Sequence, residues 1–203
     1  MNNIRWLFFD VGSTLVDESL CIKERFNIII KKNKIEEQTF AETVLKFAKK
    51  NCFAVKSAAK VYNVEIPEWN TNLEKLYSSV DSTLNVLSKK YKLGIIANQC
   101  VGTANRLNKW GIGKYFDIII SSAEEGCSKP DLKIFKLALK KANCNASECI
   151  MIGDRIDNDI LPAEKIGMKT IWVRQGFAKY RVLNESEKPD YIIQNINELT
   201  NIL

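Results

Sequence analysis

The sequence predicts an α/β fold, with a parallel, Rossmann-like sheet as core and a small all-helical domain inserted after the first strand. Two observations carry this. Six short apolar runs recur along the chain, and they are continuous rather than alternating, as in strands covered on both faces. The stretch from about 18 to 70 has no such run, only apolar residues at helical spacing.

Taken in order, "WLFFD" (6–10) is the first strand, and it ends on Asp10 before a tight loop containing Gly12, Ser13 and Thr14. Helical stripes follow, for example Phe40, Val44, Phe47 and Ala48, and Pro67 closes the insertion. Leu73, Leu76, Tyr77, Val80, Leu84 and Leu87 keep one helical face and lead into "LGIIAN" (93–98), a strand ending at Ala97 and Asn98. "DIIIS" (117–121) precedes Lys129 and Pro130, after which Leu132, Phe135, Leu139 and Ala142 mark another helix. "CIMIGD" (149–154) ends in an acidic cluster of Asp154, Asp157 and Asp159, with Asp157 expected to be a helix cap; "TIWV" (170–173) and "YII" (191–193) complete the sheet. The expected division is a core of residues 1–17 and 72–203 and a helical cap of residues 18–71. In an open parallel sheet ligands sit at the carboxyl ends of the strands, so this insertion hangs over the site as a lid.

Composition narrows the chemistry. Of the 203 residues, 46% are hydrophobic and 27% charged, as in a globular protein, and no apolar run approaches the length needed to cross a bilayer. There is no histidine, which excludes Ser-His-Asp and Cys-His hydrolases and any His-ligated metal. Six cysteines (Cys21, Cys52, Cys100, Cys127, Cys144, Cys149) show no CxxC spacing and read as free thiols. The net charge of +6 comes from lysines scattered among acidic residues, a solvated surface rather than a nucleic-acid stripe. The N-terminus reaches Asp10 too early for a signal peptide, so the expected location is cytoplasmic.

The strand ends gather a carboxylate on a turn, an amide, a lysine and an acidic cluster. This set suits phosphoryl transfer. Asp10 and Asp154 can hold a hard cation, magnesium, with oxygen ligands. Asp10 can attack phosphorus, Lys129 balances charge, and Asn98 with loop N–H groups can hold phosphate oxygens. Each residue alone also has an ordinary structural role; their joint occurrence in this order favours the functional one.

On these residues the chain resembles the haloacid dehalogenase superfamily, mostly metal-dependent phosphatases. The resembling motifs are "FFDVGST", "GIIAN", "SKPD" and "IGDRIDNDILPAEKIGM". The resemblance implies a Rossmann-like core with a helical cap and a phosphatase acting on a small-molecule phosphate ester. Asp10 would be nucleophile and magnesium ligand, Gly12 a ligand through its carbonyl, and Asp154 and Asp159 metal ligands. Lys129, with Ser13, Thr14, Ala97 and Asn98, would bind phosphate. Two positions depart from the pattern. Gly12 stands where the family carries an acid-base aspartate, and Ala97 where it carries a hydroxyl residue. The expectation is a hydrolase with altered proton handling, the missing role falling to Ser13, Asp17, a cap residue or water. The alternative is a catalytically silent phosphate-binding or regulatory protein. Substrate identity and oligomeric state are not legible in the sequence.

Overall fold

A computed structural model describes residues 3–50 and 53–203. Its strands are β1 (Trp6–Phe9), β2 (Val16–Asp17), β3 (Lys75–Leu76), β4 (Lys92–Ala97), β5 (Ile118–Ser121), β6 (Cys149–Gly153), β7 (Lys169–Val173) and β8 (Tyr191–Ile193). Its helices are α1 (Ser19–Asn33), α2 (Glu37–Ala48), α3 (Ala54–Val61), α4 (Val80–Leu87), α5 (Thr103–Lys109), α6 (Ser122–Glu125), α7 (Leu132–Ala142), α8 (Leu161–Lys165) and α9 (Leu199–Ile202).

Six strands form one sheet in the order β5-β4-β1-β6-β7-β8, every pair parallel. The strand order reverses between β1 and β6, the place where an open α/β sheet opens a crevice. All four residues of β1 are buried, because successive side chains point to opposite faces and both faces are covered. Leu7 and Phe9 pack with Leu84 of α4 and Leu199 of α9; Trp6 and Phe8 pack with Phe135 and Ala138 of α7.

Between β1 and β4 the chain leaves the sheet. Residues 18–73 hold α1, α2, α3 and a short 3₁₀ turn (Thr71–Leu73), with no strand among the described residues. This segment has its own apolar centre, where Phe40 is fully buried between Phe26 (ring centroids 5.1 Å apart) and Tyr62 (5.4 Å). The two crossings between sheet and segment pair with each other: Val16 lies opposite Leu76 and Asp17 opposite Lys75 in an antiparallel ribbon.

Two helical stripes differ from expectation. Leu73 belongs to the 3₁₀ turn and Leu76 to β3, so α4 begins only at Val80; pairing with β2 overrides the apolar periodicity before it. In α7 the buried face is Ile134, Phe135, Ala138 and Ala142, rotated from the expected one, while Leu132 and Leu139 are half-buried. Cys21, Cys100, Cys127, Cys144 and Cys149 are free thiols; Cys52 lies outside the described residues.

Candidate active site

Asp10 immediately follows β1, and its N–H donates to the Ile152 carbonyl at 2.9 Å, so the ladder to β6 holds its backbone. The loop after it closes on itself: Leu15 and Val16 donate to the Val11 carbonyl and Ser13 to that of Val16. Ser13 sits at φ 54°, a turn conformation.

Lys129 reaches Asp10 from the far side. Its Nζ lies 2.6 Å from Asp10 Oδ1 and 2.6 Å from Asp159 Oδ1, and the residue is only 4% exposed. Burial pulls the ammonium pKa down, but the two carboxylates outweigh burial and hold it above the usual lysine value. Asn98 fixes the lysine's backbone from the end of β4. Its amide N–H donates to the Lys129 carbonyl at 2.8 Å, and its amide oxygen accepts the Lys129 N–H at 2.7 Å.

The acidic cluster after β6 is shaped by a single π-turn, Ile156–Ile160, a local widening common at functional sites. The turn brings Asp159 back beneath the strand end, where its Oδ2 accepts the Arg155 N–H at 2.9 Å. Gly153 makes the room: a Cβ there would stand 2.4 Å from the Asp159 carboxyl carbon. Asp10, Asp154 and Asp159 each offer an oxygen, all within 4.8 Å of one another. Burial, then the charges of Asp159, Asp10 and Glu18, push the Asp154 carboxyl well above the usual carboxylate range. Three clustered carboxylates against one ammonium leave a deficit of positive charge. All-oxygen donors at this spacing fit a hard divalent cation.

A further carboxylate went unread in the sequence. Glu18 opens α1, its carbonyl accepting the Ile22 N–H at 2.9 Å, but its side chain turns back toward the loop after β1. The Ser13 hydroxyl donates to Glu18 Oε2 at 2.8 Å. A Cβ on Gly12 would lie 2.6 Å from Glu18 Oε1. Burial, opposed by the Ser13 hydrogen bond and aided by the Asp10 charge, raises the Glu18 carboxyl to about 7. The residue looks like an acid in the first turn of a helix, and only the fold of the intervening loop brings it to Gly12. Its one sequence signal is that it stands at the mouth of the insertion.

These groups share a cavity of about 480 Å³, whose floor includes Asp10, Gly12, Ser13, Lys129 and Asp154 and whose roof includes Arg25, Phe53, Lys56 and Trp69. Several expected site residues stand elsewhere. Thr14 is fully buried and does not line the cavity; its carbonyl accepts from Gln175 at 3.3 Å and its hydroxyl has no hydrogen-bond partner among the described residues. Ala97 is the last residue of β4 and is packed in the core, away from the cavity. Asn98 does line it, but its amide is spent on the Lys129 backbone rather than left facing a ligand. Asp157 is no helix cap; it pairs with the Arg155 guanidinium at 2.5 Å, and that guanidinium stacks on Phe53 at 4.2 Å. Asp17 accepts the Ser19 N–H at 2.9 Å and so serves the start of α1.

Comparison with known proteins gives the family and the fold. A sequence profile described as haloacid dehalogenase-like hydrolase matches residues 7–173. A glyceraldehyde 3-phosphate phosphatase of Methanocaldococcus jannaschii is 34% identical over 126 residues, 62% of this chain and 54% of that protein, so the match spans about half of its length. The protein of the same description from Pyrococcus furiosus is 27% identical over 100% of this chain and 94% of its own. Among solved structures, an HAD phosphatase from Thermococcus onnurineus superposes with a TM-score of 0.67 at 22% identity, covering 98% of this chain and 97% of that one. An HAD-hydrolase from Bacillus subtilis bound to magnesium reaches 0.74 at 20% identity, with 99% of each chain covered. At these identities the two structures speak for the fold.

Proposed function

The chain belongs to the haloacid dehalogenase-like hydrolases, and from that premise we propose that it is a magnesium-dependent phosphatase acting on a small phosphorylated metabolite. One observation carries the reading: the buried Lys129 ammonium bridges Asp10 and Asp159 at the crevice between β1 and β6, with Asp154 beside them. Relatives named as phosphatases support it.

Asp10 is the nucleophile. Its carboxylate oxygen attacks phosphorus, the ester oxygen leaves with its electron pair, and an aspartyl phosphate forms. Water then attacks phosphorus and returns the electron pair to Asp10. Lys129 holds Asp10 in place and draws in the phosphate's negative charge. Asn98 positions Lys129 through its backbone. Asp10, the Gly12 carbonyl, Asp154 and Asp159 would hold magnesium, which supplies neutralisation of phosphate charge when bound. Residues 18–71 act as a cap, with Arg25 and Lys56 giving the cavity roof a positive character that suits an anionic substrate.

The second reading, a silent phosphate-binding protein, draws on Gly12, which removes the family's acid-base carboxylate. A panel of phosphate esters assayed with and without magnesium separates the two. The phosphatase reading expects magnesium-dependent release of phosphate by the wild type and none by Asp10→Asn with its fold intact. No turnover of any ester by the wild type supports the silent protein.

A further inference from the structure

We propose that Glu18 replaces the carboxylate missing at position 12 and is the general acid and base of the reaction. The proposal rests on the phosphatase reading above. The place of the side chain carries it. Any side chain grown from Gly12 would enter the volume that Glu18 already fills, with a Cβ 2.6 Å from Oε1 and 3.0 Å from the carboxyl carbon. Gly12 has no positive φ that would demand glycine. The absence of a side chain at 12 and the presence of a carboxylate there are therefore one feature: the loop gives up its own acid and accepts one from the start of α1.

Elimination points the same way. The carboxylates lining the cavity are Asp10, Glu18, Glu74, Asp154 and Asp159. Asp10, Asp154 and Asp159 form the cluster around Lys129. Glu74 accepts the Trp69 indole N–H at 2.7 Å and pairs with Arg106 at 3.7 Å. Glu18 remains, with Oε2 fixed by the Ser13 hydroxyl and Oε1 beside Gly12. The hydroxyl holds the side chain in the cavity and leaves the second oxygen for proton transfer.

The protons balance over both steps. As Asp10 attacks, the bond from phosphorus to the ester oxygen breaks and Glu18 gives its proton to that oxygen, releasing the alcohol and leaving a carboxylate. Glu18 then takes a proton from the water that attacks the aspartyl phosphate. The bond from phosphorus to Asp10 breaks, inorganic phosphate departs, and Glu18 is protonated again.

The decisive experiment compares an alkyl and an aryl phosphate across wild type, Glu18→Gln, Glu18→Ala, Gly12→Asp and the Gly12→Asp/Glu18→Ala double variant. Glu18→Gln should lose about 10²–10⁴ in turnover of the alkyl ester. Release of the acidic aryl alcohol needs no proton, so its first turnover should survive while hydrolysis of the intermediate stalls. Phosphoenzyme should then accumulate and be visible by intact-protein mass spectrometry. Gly12→Asp alone should lower activity, because two carboxylates compete for one space, and adding Glu18→Ala should restore it. An unchanged alkyl-to-aryl ratio and no phosphoenzyme in a folded Glu18→Gln would overturn the role of Glu18 while leaving the phosphatase reading standing. No turnover of either ester by the wild type would overturn both. Folding of each variant is checked by its thermal transition.

Discussion

Lys129 is an ammonium enclosed with two carboxylates, and burying such a group is tolerable only while its partners stay. Lys129→Met should therefore destabilise the protein by about 3–5 kcal/mol, measured by denaturant unfolding, because Asp10 and Asp159 would face each other unpaired. Adding Asp159→Asn should return part of that loss. Gly153 acts through space rather than charge. In Gly153→Ala the new methyl meets the Asp159 carboxyl, at a cost of about 1–3 kcal/mol, and moves it off Lys129. Activity should fall further than the loss of stability explains, which paired unfolding and turnover measurements would show. Asn98 offers a sharper comparison. Asn98→Asp keeps the oxygen that accepts the Lys129 N–H but turns the donor into a second acceptor facing the Lys129 carbonyl. At this scale Asp10 and Asp154 were legible as candidates because each directly follows an apolar run that forms a strand, β1 and β6, whereas Lys129 stands beyond α6 and Asp159 within the π-turn, and both were legible from their motifs. Glu18 was not, since its position depends on how the loop from Val11 to Val16 folds back. Thr14 and Ala97 misled because proximity in sequence to Asp10 and Asn98 says nothing about which way a side chain faces.

Among elements, the helical segment has an apolar centre separate from the two faces of the sheet. Phe40→Ala should cost about 3–5 kcal/mol and act locally, loosening α1, α2 and α3 before the sheet. Hydrogen exchange should show protection lost across residues 19–61 and kept in β1 and β6; equal loss in both would mean that segment and sheet unfold together. The central sheet strands β1, β4, β6 and β7 were readable because burial on two faces demands continuous apolar runs; the edge strand β8 keeps its apolar run although Tyr191 and Ile192 are exposed. The β2–β3 ribbon was not, because two residues a side are too short for any period to show. The π-turn after β6 escaped for a related reason: one extra residue in a turn leaves no pattern, only a displaced Asp159.

For the whole molecule, the reversal of strand order between β1 and β6 explains why residues as distant in sequence as Asp10 and Asp154 meet. Cation binding should therefore tie the two halves of the sheet together. At about a hundredfold above its Kd, magnesium should add about 2.7 kcal/mol of stability, seen as a rise in Tm. Asp154→Asn should abolish that response, yet raise Tm without metal, since it removes a carboxyl whose ionisation burial and the neighbouring charges oppose. A metal-free Tm below that of wild type would mean that Asp154 is held by contacts other than repulsion.

The ribbon of β2 and β3 has a consequence for how such a chain can be recombined. Val16 and Leu76 are neighbours across a ladder, so everything between them leaves and re-enters at one doorway. A tight turn could bridge that doorway, or a foreign insert could be grafted into it, without disturbing the order of the main sheet. Yet Glu18 stands just inside the doorway and would depart with the excised piece, taking with it the carboxylate beside Gly12. A graft here that leaves position 12 as glycine should bind phosphate and turn it over poorly; restoring aspartate there should make the insert interchangeable.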